Sequence, residues 1–197
     1  MPTVISHAIV GAGGFLSVGH GRPGARVGAC VAAALAVVPD ADALVARWIP
    51  GTTAWAHRGV SHSLLVAVLL GFAGALALRR RVALPDGPWT LAVLLAAIVA
   101  THGVLDAMTE GGEGVAFFAP IVSRRYFLPW RPIPVAPLVL HPMLVEVLLI
   151  EAWMLWPVSV ALATARARLR PAARAAVWLA LAASVAPWWI GMGLRPA

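Results

Sequence analysis

The stretch WTLAVLLAAIVATHGVLDA, residues 89–107, decides the fold. It runs through Leu, Ala, Val and Ile and carries no carboxylate until Asp106. A bilayer core is crossed by about 17–25 such residues as a helix. Backbone in lipid must satisfy its hydrogen bonds internally, so the segment reads as a helix and not an isolated strand. Two polar groups at its far end, His102 and Asp106, are costly at the edge of a membrane unless they have partners.

Working outward, five more apolar segments appear at about Val4–Val18, Val27–Val38, His62–Leu78, Pro142–Ala165 and Ala173–Met192. The chain has 197 residues, is 61% hydrophobic and only 12% charged, and has a mean hydropathy of +0.86. Soluble domains are roughly 25% charged. The expectation is therefore one all-α domain, residues 1–197, a polytopic membrane protein of about six helices. Residues 1–140 carry the chemistry and residues 141–197 supply two C-terminal transmembrane helices. The first two segments are short and suit a hairpin turning at GHGRPGAR, residues 19–26, spanning or re-entrant. The N-terminus lacks a basic region, so it does not read as a signal peptide. Cys30 is the single cysteine, which excludes a disulfide framework or a thiol-rich metal site.

Net charge is +7 and all 15 basic residues are arginine. They fall largely in links between apolar runs, as membrane topology requires, so nucleic acid is not an expected partner. If every segment crosses, Arg22/Arg26, Arg79–Arg81 and Arg166–Arg174 share one side, which the positive-inside rule makes cytoplasmic. Both termini then lie outside. Arg47, Arg58, Arg124, Arg125, Arg131 and Arg195 fall on the far side, with Trp48, Trp55, Trp130, Trp188 and Trp189 as an interfacial belt. The polar constellation is then expected on the non-cytoplasmic face of the membrane.

That constellation is His7, Asp40, Asp42, His57, His62, His102 and Asp106. His102 and Asp106 are four apart and share a helix face. Asp40 and Asp42 stand in PDAD, where an extended D-x-D points both carboxylates one way. In AWAHRGVSHSLL, residues 54–65, Ser61 reads as a helix N-cap with His62 first in the helix, and Gly59 permits the bend that brings His57 to the same pocket. Imidazole with carboxylate suits Zn²⁺, with Mn²⁺ or Fe²⁺ as alternatives, and seven candidates allow one or two ions. Taken singly, each residue has an ordinary reading as a packing histidine or a helix cap; together they point to a metal site.

Such a site activates water for hydrolysis. Asp106 or Asp42 would act as general base, and Arg58 would stabilise developing charge or pair with an aspartate. Arg124, Arg125 and Arg131 in SRRYFLPWRPIP, residues 123–134, are candidate contacts to an anionic lipid or phosphoester headgroup, or part of a loop anchored by Tyr126, Phe127 and Trp130. Glu110 and Glu113 are weaker ligand candidates beside a flexible GGEG. His141 and Glu146 read as supporting or structural, and His20 falls at the opposite face.

The N-terminal His7, PDAD, HRGVSHS, THGVLDAMTEGG and RRYFLPWRPIPV together resemble the YdjM-like family of bacterial inner-membrane proteins, over about residues 1–140. The resemblance implies a membrane-bound metal-dependent hydrolase in which His57 and His62 match paired histidines, Asp40 and Asp42 the P-D-x-D, and His102 and Asp106 the H-x3-D. A Thr-Pro-Gly-like stretch often follows in that family; here Thr109 is followed by Glu-Gly-Gly. Competing readings are a metal-ion transporter or sensor, for which no internal repeat is visible, and a scaffold that catalyses nothing.

Overall fold

In the computed structural model the described residues are 1–194 except 46, 47, 50–52, 83, 85, 86 and 138–140; of residues 88 and 185–194 only the backbone is described. Arg47, Arg195 and the side chains of Trp188 and Trp189 therefore lie outside the described residues.

The chain is helical, and among the described residues only isolated β-bridges occur. The helices are α1 (Val4–Gly19), α2 (Ala25–Val37), α3 (Leu64–Leu78), α4 (Pro88–Ala107), α5 (Met143–Met154), α6 (Trp156–Thr164) and α7 (Pro171–Leu194). Short 3₁₀ turns run over Val38–Leu44 and Val60–His62. The fifth expected segment is thus two helices. Pro157 has no N–H to give and its ring crowds the preceding turn, so the helix breaks at Leu155.

Three stretches are long and apolar enough to cross a membrane: Ala25–Leu44, Trp89–Ala107 and Met143–Thr164. The 3₁₀ turn lengthens α2 to 20 residues, which makes it a candidate span where the sequence suggested a short element. Helices α1 and α3 are shorter. Large apolar side chains such as Leu69, Leu76, Val93 and Leu149 point outward. In water that surface would be a liability; in a bilayer it meets its preferred solvent. The fold is that of a helical membrane protein.

The core is built on small residues that let backbones approach, because in lipid the helices associate by close packing and not by expulsion of water. Phe15 is fully buried and fills the α1–α2 seam, where a Cβ on Gly28 would stand 2.1 Å from its ring. Gly11 faces Ala32 and Ala36, and Gly71 faces Ala96 of α4. A core of Phe15, Ala32, Ala36, Leu78, Leu91 and Leu95 joins the first four helices. The α1–α2 and α3–α4 hairpins then place four helix ends together: the start of α1, the end of α2, the start of α3 and the end of α4. Between them they carry six of the seven residues of the polar constellation, and the seventh, His57, lies with Arg58 in the turn before α3.

Two local expectations change. Helix α3 is capped by Ser63, whose hydroxyl accepts from Val66 N–H at 3.2 Å, so Ser61 and His62 precede the helix. PDAD is 3₁₀ and not extended. At three residues per turn, positions i and i+2 diverge by about a third of a turn, so Asp40 and Asp42 face different partners.

A Cβ on Gly71 would lie 2.4 Å from the backbone nitrogen of Ala96. Gly71→Ala is therefore expected to cost about 1–3 kcal/mol by forcing α3 and α4 apart. Leu69→Ala, on the 59% exposed outer face of the same helix, should be nearly neutral. Thermal unfolding in detergent measures both, and equal losses would refute the close-packed seam.

Candidate metal centre

Asp40, His62, His102 and Asp106 are all buried and come together at the shared helix ends. Each arrives by a different local device. Asp40 sits in the first turn of the 3₁₀ segment that ends α2. His102 and Asp106 occupy one face of the last turns of α4. His62 ends the tight turn before α3, reached through Arg58, whose φ of +62° is the only left-handed non-glycine backbone among the described residues. At Gly59 a Cβ would collide with the carbonyl oxygen of Ala54 at 2.1 Å, so no other residue fits the bend.

His62 Nε2 lies 3.0 Å from His102 Nε2, 3.2 Å from Asp106 Oδ2 and 3.6 Å from Asp40 Oδ1. His102 Nε2 lies 3.3 Å from Asp40 Oδ1 and 3.9 Å from Asp106 Oδ2. Four ligands at about 2.0–2.1 Å from a zinc-sized ion define a tetrahedron with edges of about 3.3 Å. The observed separations bracket that edge.

Proton positions follow from the partners. His102 Nδ1 meets the Ala36 carbonyl at 2.7 Å. A carbonyl only accepts, so Nδ1 carries the hydrogen and Nε2 of the neutral ring is a bare lone pair. Ser61 donates its hydroxyl hydrogen to Asp42 Oδ2, which leaves its oxygen to accept from His62 Nδ1 at 2.9 Å. In the neutral form of the ring, His62 Nε2 is then bare as well. With both rings neutral, two lone pairs face each other at 3.0 Å between two carboxylates, and among the described residues neither Asp40 nor Asp106 has a hydrogen bond to either oxygen. Buried carboxylates without donors are unfavourable by several kcal/mol. A divalent cation at their centre resolves both problems, and the group could hold one.

Asp42 and His57 form a second set with His62. Asp42 Oδ1 meets His57 Nδ1 at 2.6 Å. Its Oδ2 accepts from Ser61, from Arg58 N–H at 3.2 Å, and faces His62 Nδ1 at 3.3 Å. Most of its lone pairs are taken, the geometry of a carboxylate that orients a ligating histidine. The side chain of His57 is 22% exposed, and its Nε2 lies 3.1 Å from the Met1 sulfur. His7 is buried beside the four-residue group, stacked on His102 at 3.8 Å, with Nε2 3.6 Å from Asp106 Oδ1.

The arginines divide. Arg58 is buried, with Nε 3.3 Å from Asp106 Oδ2, while its two terminal nitrogens donate at 3.1 Å to Gly111 O and Thr109 Oγ1. Its ion pair is with Asp106; to Asp42 it gives only a backbone hydrogen bond. Arg125 clamps the 109–133 loop to the turn before α3, donating to His57 O at 2.9 Å and to Thr53 O at 3.2 Å. Arg124 and Arg131 are exposed and lie over the Tyr126 and Phe127 rings at 5.5 Å and 4.9 Å. Glu110, Glu113 and Glu146 are exposed and outside both metal-binding groups, and Glu113 pairs with Arg125. His141 is exposed and accepts from Met143 N–H.

One buried acid escaped the sequence reading. Glu151 of α5 is fully buried and binds the start of α1. Its signal was a carboxylate inside an apolar run, which membrane energetics marks as partnered.

The apolar helices and this cluster define a class: a helical membrane protein whose buried aspartates and histidines could hold a metal ion. The chain belongs to the YdjM inner membrane protein family, whose model matches residues 1–193 and so extends through the C-terminal helices. It is 33% identical to inner membrane protein YbcI of Escherichia coli (strain K12) over 150 residues, 71% of this chain and 80% of that protein. No solved structure matches it.

Titration of the purified protein with Zn²⁺ is expected to show tight binding at the four-residue group. His102→Ala should abolish it, and Asp42→Asn should weaken it about 10–100-fold, as loss of an orienting carboxylate does. Unchanged affinity in His102→Ala would refute the centre.

Proposed function

We propose that this protein is a membrane-embedded metal-dependent hydrolase whose substrate is an amphiphilic phosphoester. The observation that carries the reading is the donor set itself: two imidazole Nε2 atoms and two carboxylates without hydrogen bonds converging at the shared helix ends. Structural zinc sites are typically rich in cysteine, whereas His and carboxylate sets belong to catalytic zinc. An ion held by Asp40, His62, His102 and Asp106 would supply an activated water and a Lewis acid for the phosphoryl oxygen. Zinc fits the spacing best, with manganese or iron as alternatives.

The chain's own groups do the rest. Arg58 and His7 flank the two oxygens of Asp106 and fix that carboxylate. Asp42 fixes the His62 ring through Nδ1 and Ser61, and holds His57 by its Nδ1. His57, on the more open wall, is placed to carry a proton at Nε2, a role for which the sequence had favoured Asp42 or Asp106. Arg58 is committed to internal partners and acts by position, while the exposed Arg124 and Arg131 are free to meet an anionic headgroup.

An apolar groove of about 510 Å³ supports the amphiphile. Val4, Ala8, Val37, Val38 and Leu44 line it, together with Asp40. A hydrocarbon chain lying there would bring its headgroup to the cluster. Arg22, Arg26 and Arg79–Arg81 lie in the links at the opposite helix ends, which favours a multi-pass topology with the site on the non-cytoplasmic face.

A second reading has one observation in its favour. All four groups are nearly closed from solvent, with relative exposures of 0–6%. Closed coordination suits a structural ion that catalyses nothing.

Metal analysis coupled to a screen of lipid phosphoesters tests both readings. Hydrolysis by the metal-loaded protein, lost at least about 100-fold in His62→Ala and Asp106→Ala, is the expected result. Bound metal without turnover of any phosphoester would leave the structural ion. Metal uptake into proteoliposomes without hydrolysis would point to a transporter instead.

A further inference from the structure

Glu151 has no charged partner among the described contacts and is fully buried inside a candidate membrane span, yet it is saturated with hydrogen bonds. Thr3 N–H donates to Oε1 at 2.8 Å and to Oε2 at 3.1 Å. The Thr3 hydroxyl donates at 2.5 Å and the Ser6 hydroxyl at 2.6 Å, both to Oε2. Thr3 is the N-cap of α1, so the carboxylate sits on the positive end of that helix, where unpaired backbone N–H groups favour an anion. Trp156 of α6 donates to the same Ser6 hydroxyl at 3.2 Å. Further along, Gly13 packs so closely on Ser159 of α6 that a Cβ would lie 2.6 Å from its carbonyl oxygen.

His7 follows directly. Its N–H is the first to bond back to the Thr3 carbonyl, at 3.2 Å, and neither ring nitrogen has a hydrogen-bond partner of its own. The ring is placed by stacking on His102, by its approach to Asp106 and by where α1 begins. The start of α1 is in turn set by Glu151. Charge-assisted hydrogen bonds are roughly twice as strong as neutral ones, and four of them on one buried carboxylate fix the register of that helix end.

We infer that Glu151 is a positioning residue that anchors the N-terminus of α1 and thereby holds His7 against Asp106 and His102. Through it the C-terminal helices, which carry none of the histidines of the cluster, take part in forming the centre. The inference rests on the proposed centre only for the use to which His7 is put; the anchoring itself needs no metal.

The test reads histidine accessibility without metal or activity. Wild type, Glu151→Leu, Glu151→Gln and Thr3→Val are treated with diethyl pyrocarbonate in detergent, and each histidine is quantified by mass spectrometry. In wild type His7, His62 and His102 should be protected, while the exposed His20 and His141 react. In Glu151→Leu, His7 labelling is expected to rise about tenfold or more while His62 and His102 stay protected, a pattern that general unfolding would not produce. Glu151→Gln, which keeps an acceptor for Thr3 N–H, should restore most of the protection. Continued protection of His7 in folded Glu151→Leu would overturn the inference. Should Glu151→Leu label at every histidine, Glu151→Gln and Thr3→Val decide: His7 must still be the most sensitive of the three buried rings, and equal labelling of all three would overturn the proposal. Metal content of the wild type, measured separately, reports on the centre and leaves this outcome untouched.

Discussion

Two buried aspartates, neither with a hydrogen bond among the described residues, impose the constraint on which the rest of the structure depends. No lysine is available to balance them, because the chain contains none. Arg58 faces only one oxygen of Asp106, and leaves Asp40 to the two imidazoles. Everything around the cluster can be understood as aiming those imidazoles inward. The Ala36 carbonyl does so for His102, and Asp42 with Ser61 does so for His62. The unusual backbone at Arg58 and the crowded Gly59 are conformational costs accepted for the same end.

The bilayer decides where this cluster can be. Helices that pack through Gly and Ala present few side chains able to accommodate charge. Polar groups collect where helices end, and two hairpins bring four such ends to one place. The 109–133 loop closes over them, tied by Ala116 N–H to Arg58 O, by Leu128 N–H to Ala107 O, and by the Arg125 clamp. Exposed Ile121, Val122 and Phe118 on that loop give it an apolar outer surface. The cover is thus fastened inward by hydrogen bonds and outward by its affinity for the interface.

Much of this was legible in the sequence. Apolar run lengths located the helices to within a few residues, and the four-residue spacing of His102 and Asp106 gave a shared face that the structure contains. What escaped depended on geometry that spacing does not encode. PDAD reads as extended or helical with equal ease, and only its 3₁₀ form separates Asp40 from Asp42. Ser61 and Ser63 are equivalent cap candidates until the turn before α3 is known. Pro157 lies inside an apolar run long enough to be one span, so the break in the fifth segment was hidden by hydropathy. Glu151 was passed over because its partners stand at the other end of the chain.

That separation has a consequence for biogenesis. Thr3 and Glu151 are 148 residues apart in sequence. Domains emerge from the ribosome N-terminus first. During insertion, the cap of α1 must wait, its leading N–H groups and hydroxyls unanswered, while four more helices enter the membrane. An earlier-made part of the chain is therefore finished by a later one, and a truncation between α4 and α5 yields a product with the histidines of the cluster present and its assembly incomplete.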